Sequence, residues 1–169
     1  RGVQANQIHD RLVQDREHSI KAVCVVHNET STGVTSDIVA VRKALDDAKH
    51  PALLMVDTIS GLGSADYRHD EWGVDVSMAA SQKGLMLPPG LGFNALSVRA
   101  LEASKTAKMP RSFWAWDEVI ETNKKDHSGD FIIKYKDKKY IIDVKNYSDN
   151  VPGKEVRKLS KDIDSNSCY

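Results

Sequence analysis

The chain alternates short, nearly continuous apolar runs with longer segments that are polar or amphipathic. Short apolar runs bounded by turn residues are typical of strands buried on both faces of a parallel sheet. Four such runs predict strands, at residues 20–28, 52–58, 74–81 and 94–99.

An amphipathic segment at 34–51 lies between the first two predicted strands. Its apolar positions recur at helical spacing, Ser36 or Asp37 can cap its start, and Pro51 lies beyond its end. The resulting order of strand, helix and strand predicts an α/β fold, with a mostly parallel sheet flanked by helices.

Polar residues stand where the predicted strands end. Residues 27–30 follow the first strand, Asp57 ends the second, and Gln82 and Lys83 follow the third. Ligands collect at the carboxyl ends of strands in such sheets. Taken singly, Asp57 could form an Asx turn and Lys83 could be a solvated loop lysine. Taken together, they place an acid, an amide and an amine at one edge.

A lysine amine and a carboxylate are the pair that pyridoxal phosphate requires. Its aldehyde forms a Schiff base with a lysine, and a carboxylate beside the pyridine nitrogen keeps that nitrogen protonated. An ordinary lysine is protonated at neutral pH, whereas a nucleophile needs the neutral amine. We expect the apolar residues 85–88 to help by desolvating Lys83.

The residues that carry this pattern resemble a known family. The segments VVHNETSTGVTSDI, LLMVDTISGLGSADYRHDEWGVDVSMAASQKGLMLPPGLGFNALS and KMPRSFWAWDEV are similar to class V aminotransferases of fold type I. Among these, serine–glyoxylate and alanine–glyoxylate aminotransferases are the most similar. The resemblance covers residues 1–123, interpreted as part of the cofactor domain.

The resemblance implies a role for each candidate residue. Lys83 would be the Schiff-base lysine and would move the proton between the substrate and the cofactor. Asp57 would pair with the pyridinium nitrogen, and Ile59 would pack on one face of the ring. Thr30 would lie near the cofactor's phenolic oxygen, and Gln82 would help to hold its phosphate.

The resemblance also implies substrates and partners. They are a small amino acid, serine or alanine, together with glyoxylate, and the intact enzymes of the family are homodimers. The family's phosphate-binding turn lies upstream of this sequence, and the arginine that binds the substrate carboxylate lies downstream of residue 123. Since neither is identified here, we expect transamination by this chain to be slow or absent.

Composition bears on the expected binding partners and cellular location. Charged residues make up 28% of the chain and balance to a net charge of zero, which excludes a whole-chain argument for binding nucleic acid or a membrane. No apolar run is long enough to span a bilayer. Cys24 lies in an apolar run and is expected to be a reduced core thiol, which favours a cytoplasmic protein.

Residues 124–169 differ from the rest of the chain. They carry net charge +3, against −3 for residues 1–123. The runs at 131–136 and 139–144 predict a hairpin with Asp137 and Lys138 as its two-residue turn. That register places Ile132 opposite Asp143, on the polar face of the hairpin.

A second resemblance follows from this hairpin. With that turn, Asp130 and Asp143 become diagonal neighbours and Lys145 lies beside them, an arrangement that could hold Mg²⁺ next to a phosphate. The spacing is similar to that of PD-(D/E)XK nucleases, and the basic helix predicted to follow would face nucleic acid. An ordinary lysine-rich hairpin is the alternative.

Three hypotheses therefore remain open. The chain is a pyridoxal phosphate enzyme, a metal-dependent nuclease or nucleic-acid-binding module, or an inactive chimera of two fragments joined near residues 122–126. The aminotransferase resemblance covers more of the chain and rests on sharper motifs.

Overall fold

In the computed structural model, the described residues form a six-stranded sheet with helices packed on its faces. The structure describes residues 2–109, 115–117, 120, 131–135 and 138–143. The elements are α1 (Ala5–Gln14), β1 (Ala22–Val26), α2 (Ile38–Asp47), β2 (Leu53–Asp57), β3 (Val76–Ala80), β4 (Gly92–Leu96), α3 (Val98–Lys105), β5 (Phe131–Tyr135) and β6 (Lys138–Asp143). In space the strands follow the order β1-β2-β3-β4-β6-β5.

The predicted α/β class is confirmed, but the sheet is mixed rather than mostly parallel. Strands β1, β2 and β3 are parallel to one another, whereas β4 runs antiparallel to β3, and β6 and β5 continue antiparallel. The fourth strand ends at Leu96 rather than at residue 99, because Ser97 caps α3 by accepting a hydrogen bond from the Ala100 N–H. Only residues 81–91 connect β3 to β4, and a parallel return requires a longer crossover.

One face of the sheet packs on α1 and α2. The apolar side of α2 meets buried residues of β1 and β2 in a single cluster, whose buried members are Leu12, Val25, Ile38, Val41, Leu45, Leu54, Val56 and Val74. Of the two predicted caps, Ser36 and Asp37, it is Asp37 that caps the start of α2, and its side chain accepts a hydrogen bond from the Ala40 N–H at 2.9 Å. Helix α1 was not predicted, although Ile8 and Leu12 are spaced as on one helical face.

The described residues cover the opposite face only in part. Val76, Leu96 and Ala100 form a second, smaller cluster where α3 crosses the sheet. Beyond it, Val26 and Met78 are each 39% exposed. The prediction that β1 is buried on both faces is therefore wrong for the described chain.

Cys24 lies on this open face and is exposed. The prediction of a core thiol is therefore wrong. The alternation of a strand sends Cys24 away from the helices that bury its neighbour Val25.

The β5–β6 hairpin exists, but its register differs from the predicted one. Tyr135 pairs with Lys138 and Ile132 pairs with Ile141, not with Asp143. The two residues between the paired ends are therefore 136 and 137. Strand β6 also pairs with β4, where Asp143 lies opposite Gly92, so this tertiary pairing has to agree with the hairpin register.

The chain after α1 is joined to the start of β2 by a nearly buried carboxylate. Asp15, whose side chain is 9% exposed, accepts hydrogen bonds from Ser19 and from the Ile20 N–H at 2.7 Å. His50 Nε2 lies 3.2 Å from Asp15 Oδ2, and His50 Nδ1 accepts the Ala52 N–H at 3.1 Å. His50 therefore donates through Nε2 as a neutral ring, because its Nδ1 is already an acceptor. The Ser19 and Ile20 donors lower the pKa of Asp15 far below its ordinary value of 3.8.

Among the described residues, no helix combines the length with the apolar character that crossing a bilayer would require.

We expect the free energy of unfolding to fall as the pH drops below 3.8, the ordinary pKa of Asp15. The depressed pKa makes the Asp15 contribution complete above that value and removes it as protonation is forced at lower pH. Urea unfolding of the parent and of Asp15→Asn between pH 2 and pH 7 measures the effect, and the variant should show a weaker pH dependence. Asp47→Asn, which alters an exposed carboxylate paired with Lys43, should keep the slope of the parent.

Candidate cofactor site

The carboxyl ends of β1, β2 and β3 meet at one edge of the sheet because the three strands are parallel. Asp57 is the last residue of β2, and Lys83 follows the end of β3 by three residues. Strand β4 returns from the same edge, where its first residue, Gly92, pairs with Ala80. The structure therefore brings the predicted acid and amine to one edge, as the strand ends indicated.

Asp57 is fixed by its own turn. Its Oδ1 accepts the Ile59 N–H at 2.8 Å, which is the Asx turn considered from sequence. Its Oδ2 accepts no hydrogen bond from the described residues. Asp57 lies between Val26 and Met78 in a cross-strand row on the open face. The turn thus orients the carboxylate while leaving one oxygen for a ligand.

Hydroxyl groups tie the loop after β2 to the loop after β1. Ser60 Oγ donates to the Asn28 carbonyl at 2.6 Å, and Asn28 Nδ2 donates to Thr35 Oγ1 at 2.9 Å. Thr30 is exposed within the loop that Asn28 and Thr35 close. Ile59 is half-buried beside Ser60. Two of the predicted cofactor contacts, Thr30 and Ile59, therefore lie on loops that are hydrogen-bonded to each other.

Glycines bring the loop after β2 against the loop that carries Lys83. A Cβ added to Gly84 would lie 2.2 Å from the Leu62 carbonyl oxygen and 2.4 Å from Ser64 Oγ. A Cβ on Gly63, whose φ is +79°, would lie 2.9 Å from the Gly84 carbonyl oxygen. The backbones of the two loops are therefore in contact where any side chain would separate them.

Ser81 closes the loop that carries Lys83. Its side chain is fully buried, and Oγ donates to the Pro88 carbonyl at 2.6 Å while accepting the Leu91 N–H at 3.3 Å. Its backbone accepts the Leu87 N–H and donates to the Leu91 carbonyl. One buried serine thus binds both ends of the loop, a role that the sequence analysis did not assign to it.

Lys83 is exposed, and its amine forms no hydrogen bond or ion pair with the described residues. Gln82 beside it is also exposed. The expected desolvation by residues 85–88 is not found, since Met86 is 89% exposed, with φ +53°. The loop presents the amine at the sheet edge, but these apolar neighbours do not cover it.

A concave region lies at the other end of the strands. An open cleft of about 520 Å³ is lined by Arg42, Asp75 and Arg99 among others. Asp75 is 4% exposed and accepts hydrogen bonds from the Leu54 N–H, Ser97 and Arg99. Since this carboxylate joins β2 to the start of α3, its partners indicate a structural role, remote from Lys83.

The predicted nuclease site lies mostly outside the described residues. Asp130 and Lys145 are not among them, and of Asp143 only the backbone pairing with Gly92 is described. The geometry that suggested the site assumed Ile132 opposite Asp143, and the observed register contradicts that assumption. Within the described part of the chain, no three metal-ligating side chains of the His, Cys, Asp and Glu type form a group.

Comparison with known proteins decides the family. The sequence model of the family described as Aminotransferase class-V matches residues 3–110. This chain belongs to that family. It is 56% identical over 113 residues to an L-aspartate–glyoxylate aminotransferase of Paracoccus denitrificans, covering 67% of this chain and 28% of that protein. It is 55% identical over 124 residues to a serine–glyoxylate aminotransferase of Hyphomicrobium methylovorum, covering 72% and 31%.

A solved structure agrees with this assignment. The alanine–glyoxylate aminotransferase of Nostoc sp. superimposes with a TM-score of 0.62 at 28% identity, covering 72% of this chain and 31% of that one. The class V resemblance predicted from the strand-end motifs is thereby confirmed. The chain spans less than a third of the length of these relatives.

The contact between the two loops predicts that replacement by alanine destabilises two glycines of similar backbone conformation to different extents. Gly63 and Gly33 have φ +79° and +68°, but an added Cβ meets the Gly84 backbone only at Gly63 and nothing within 4 Å at Gly33. Gly33→Ala should lower the free energy of unfolding by about 1–2 kcal/mol, the cost of a side chain in the left-handed region. Gly63→Ala should lower it by about 1–3 kcal/mol more, because the added Cβ overpacks the Gly84 backbone. Urea unfolding measures both losses, and equal losses would show that the loops are not in close contact.

Proposed function

We propose that this chain carries the lysine and aspartate of an aminotransferase site for pyridoxal phosphate. The observation that carries the proposal is the common sheet edge, where Asp57 keeps one carboxylate oxygen without a partner among the described residues and Lys83 presents its amine. The loops that bear them are in backbone contact through Gly63 and Gly84. The family assignment supports this cofactor over others that use a carboxylate and an amine.

The donor set fits the chemistry of the cofactor. Pyridoxal phosphate, when bound, supplies an aldehyde for amines and a protonated ring that accepts electrons from the substrate Cα. The unbonded oxygen of Asp57 can accept the hydrogen bond of a protonated ring nitrogen, and the Ile59 N–H holds the carboxylate in place. Lys83 Nζ supplies the amine nucleophile and, as a neutral amine, can take a proton from carbon and return it.

Three further residues are proposed as contacts. Ile59 would lie against one ring face, because it follows Asp57 in the same turn. Thr30, on the loop after β1, would lie near the phenolic oxygen, and Gln82 would help to hold the phosphate. Their exposed or half-buried side chains leave them available for these contacts.

The proposed reaction transfers the amino group of a small amino acid, serine or alanine, to glyoxylate. The names of the relatives support glyoxylate as the acceptor, while their donors are serine, aspartate and alanine. A homodimer is the proposed assembly. Because the chain spans less than a third of its relatives and Lys83 is exposed, we expect its own turnover to be slow or absent.

The assignment of Lys83 predicts covalent capture of the cofactor. With added pyridoxal phosphate, the chain should show a visible absorbance band, and borohydride should then fix the cofactor to the peptide that contains Lys83. Lys83→Ala should lose both the band and the labelled peptide. Absorbance spectra and peptide mass spectrometry measure the two effects.

Lys105→Ala provides the matched control, because Lys105 is an exposed lysine on α3 paired with Glu102. It should keep the parent's band and the labelled Lys83 peptide. Labelling of Lys83→Ala to the same extent as the parent, on any lysine, would show that Lys83 does not hold the cofactor. Comparison of circular dichroism between variants and parent establishes that the fold is retained.

The assignment of Asp57 predicts weaker cofactor binding in Asp57→Asn. The substitution preserves an acceptor for the Ile59 N–H but removes the charge that pairs with a protonated ring nitrogen. Losing a charge-assisted hydrogen bond should raise Kd by about ten- to hundredfold. Titration followed by absorbance measures Kd, and an unchanged value would remove Asp57 from the site.

A further inference from the structure

His27 lies beneath the turn that follows Asp57 and has no role in the proposed chemistry. It is 2% exposed, and its N–H donates to the Asp57 carbonyl at 2.9 Å, continuing the β1–β2 pairing by one residue. Its ring packs against Tyr67 and Trp72, with centroids 5.0 and 6.1 Å away. The ring therefore lies between the aromatic rings of Tyr67 and Trp72 on one side and the turn that follows Asp57 on the other.

The Nδ1 atom of His27 is buried and has no hydrogen-bond partner among the described residues. It faces Gly61, where an added Cβ would lie 2.4 Å from it. A buried polar atom usually has a partner, so an unpartnered one requires an explanation. A nitrogen without hydrogen needs less room in this contact than an N–H or a C–H group would.

This contact favours a ring without a proton on Nδ1. A proton on Nδ1 would be a buried donor without an acceptor, pressed against the Gly61 backbone. Turning the ring over would put Cδ2–H in the same place, with the same loss of room. Burial lowers the pKa of His27, an effect that Asp66 opposes, which agrees with a neutral ring.

The turn above His27 is the turn that orients Asp57. Gly61 donates its N–H to the Thr58 carbonyl at 3.0 Å, and the Ile59 N–H between them donates to Asp57 Oδ1. We therefore expect an outward shift of Gly61 to displace the Ile59 amide, which lies in the same turn and holds the carboxylate.

We propose that His27 is a positioning residue for Asp57. As the neutral tautomer with its proton on Nε2, it sets the bare Nδ1 against Gly61 and so holds the turn in which Ile59 fixes the carboxylate. The relevance to the cofactor rests on the proposed function, whereas the contact itself can be tested in the chain without cofactor.

The first test determines the tautomer. Nitrogen-15 NMR of histidine-labelled protein at neutral pH, with His27 assigned by comparison with His27→Phe, should show an unprotonated Nδ1 and a protonated Nε2. A protonated Nδ1 would overturn the proposal. His50 offers an internal standard, because its Nδ1 accepts the Ala52 N–H and must also be unprotonated.

The second test measures the turn. His27→Phe keeps the ring but places a C–H group against Gly61, so exchange of the Ile59 amide hydrogen should accelerate on the order of tenfold. This exchange is compared with that of the Leu54 amide, which donates to the buried carboxylate of Asp75 and reports the core. An unchanged ratio of the two rates would overturn the proposal.

Two further variants separate positioning from general destabilisation. Gly61→Ala crowds the same contact and should also accelerate exchange of the Ile59 amide. In the double variant with His27→Phe, the two effects should add less than fully. Full additivity would show that the two residues act independently. His50→Phe removes another buried histidine, remote from Asp57 but close in sequence to Leu54, and should therefore not raise the ratio of Ile59 to Leu54 exchange.

The cofactor is tested separately. If the parent chain captures pyridoxal phosphate through Lys83, His27→Phe should bind it about tenfold more weakly, whereas His50→Phe should not. Unweakened binding by His27→Phe would overturn the role of His27 in positioning Asp57 for the cofactor. A parent that fails to capture the cofactor would count against the proposed function alone, because the tautomer and exchange results would still decide the contact.

Discussion

The close contact between loops at the carboxyl edge is the constraint on which the candidate site depends. Parallel pairing of β1, β2 and β3 sends three chain segments out at the same edge, and glycines allow their backbones to touch. Gly63 and Gly84 connect the second and third segments, and Gly61 connects the second to His27 of the first. A side chain at any of these positions would push apart the segments that carry the proposed site.

The structural role of Asp57 is compatible with the chemical role proposed for it. The Asx turn that would explain the residue without any ligand is present, and it uses one carboxylate oxygen. The other oxygen accepts no hydrogen bond from the described residues, on a face where Val26 and Met78 are partly exposed. The turn therefore orients the carboxylate through one oxygen and leaves the other without a hydrogen bond from the described residues. Lys83 differs, since its loop is fixed by Ser81 while its own side chain is exposed.

Predictions that relied on local rules were confirmed. The N-cap of α2, the α/β class and the family all followed from short segments whose physical meaning does not depend on distant residues. Two predictions that required knowledge of neighbouring residues were wrong. Cys24 was assigned to the core because its run is apolar, yet only the side chains that face the helices are buried there. The hairpin register was chosen from its turn alone, while β6 also pairs with β4.

By itself the sequence determined which residues stand at strand ends, since alternation of apolar runs and turns is a local property, and this was enough to select Asp57 and Lys83. Only the tertiary structure decided what surrounds them. The bare nitrogen of His27 against Gly61, the closure of the Lys83 loop by Ser81 and the antiparallel return of β4 join residues far apart in sequence. Such contacts depend on how close two backbones come, a distance that no local pattern specifies.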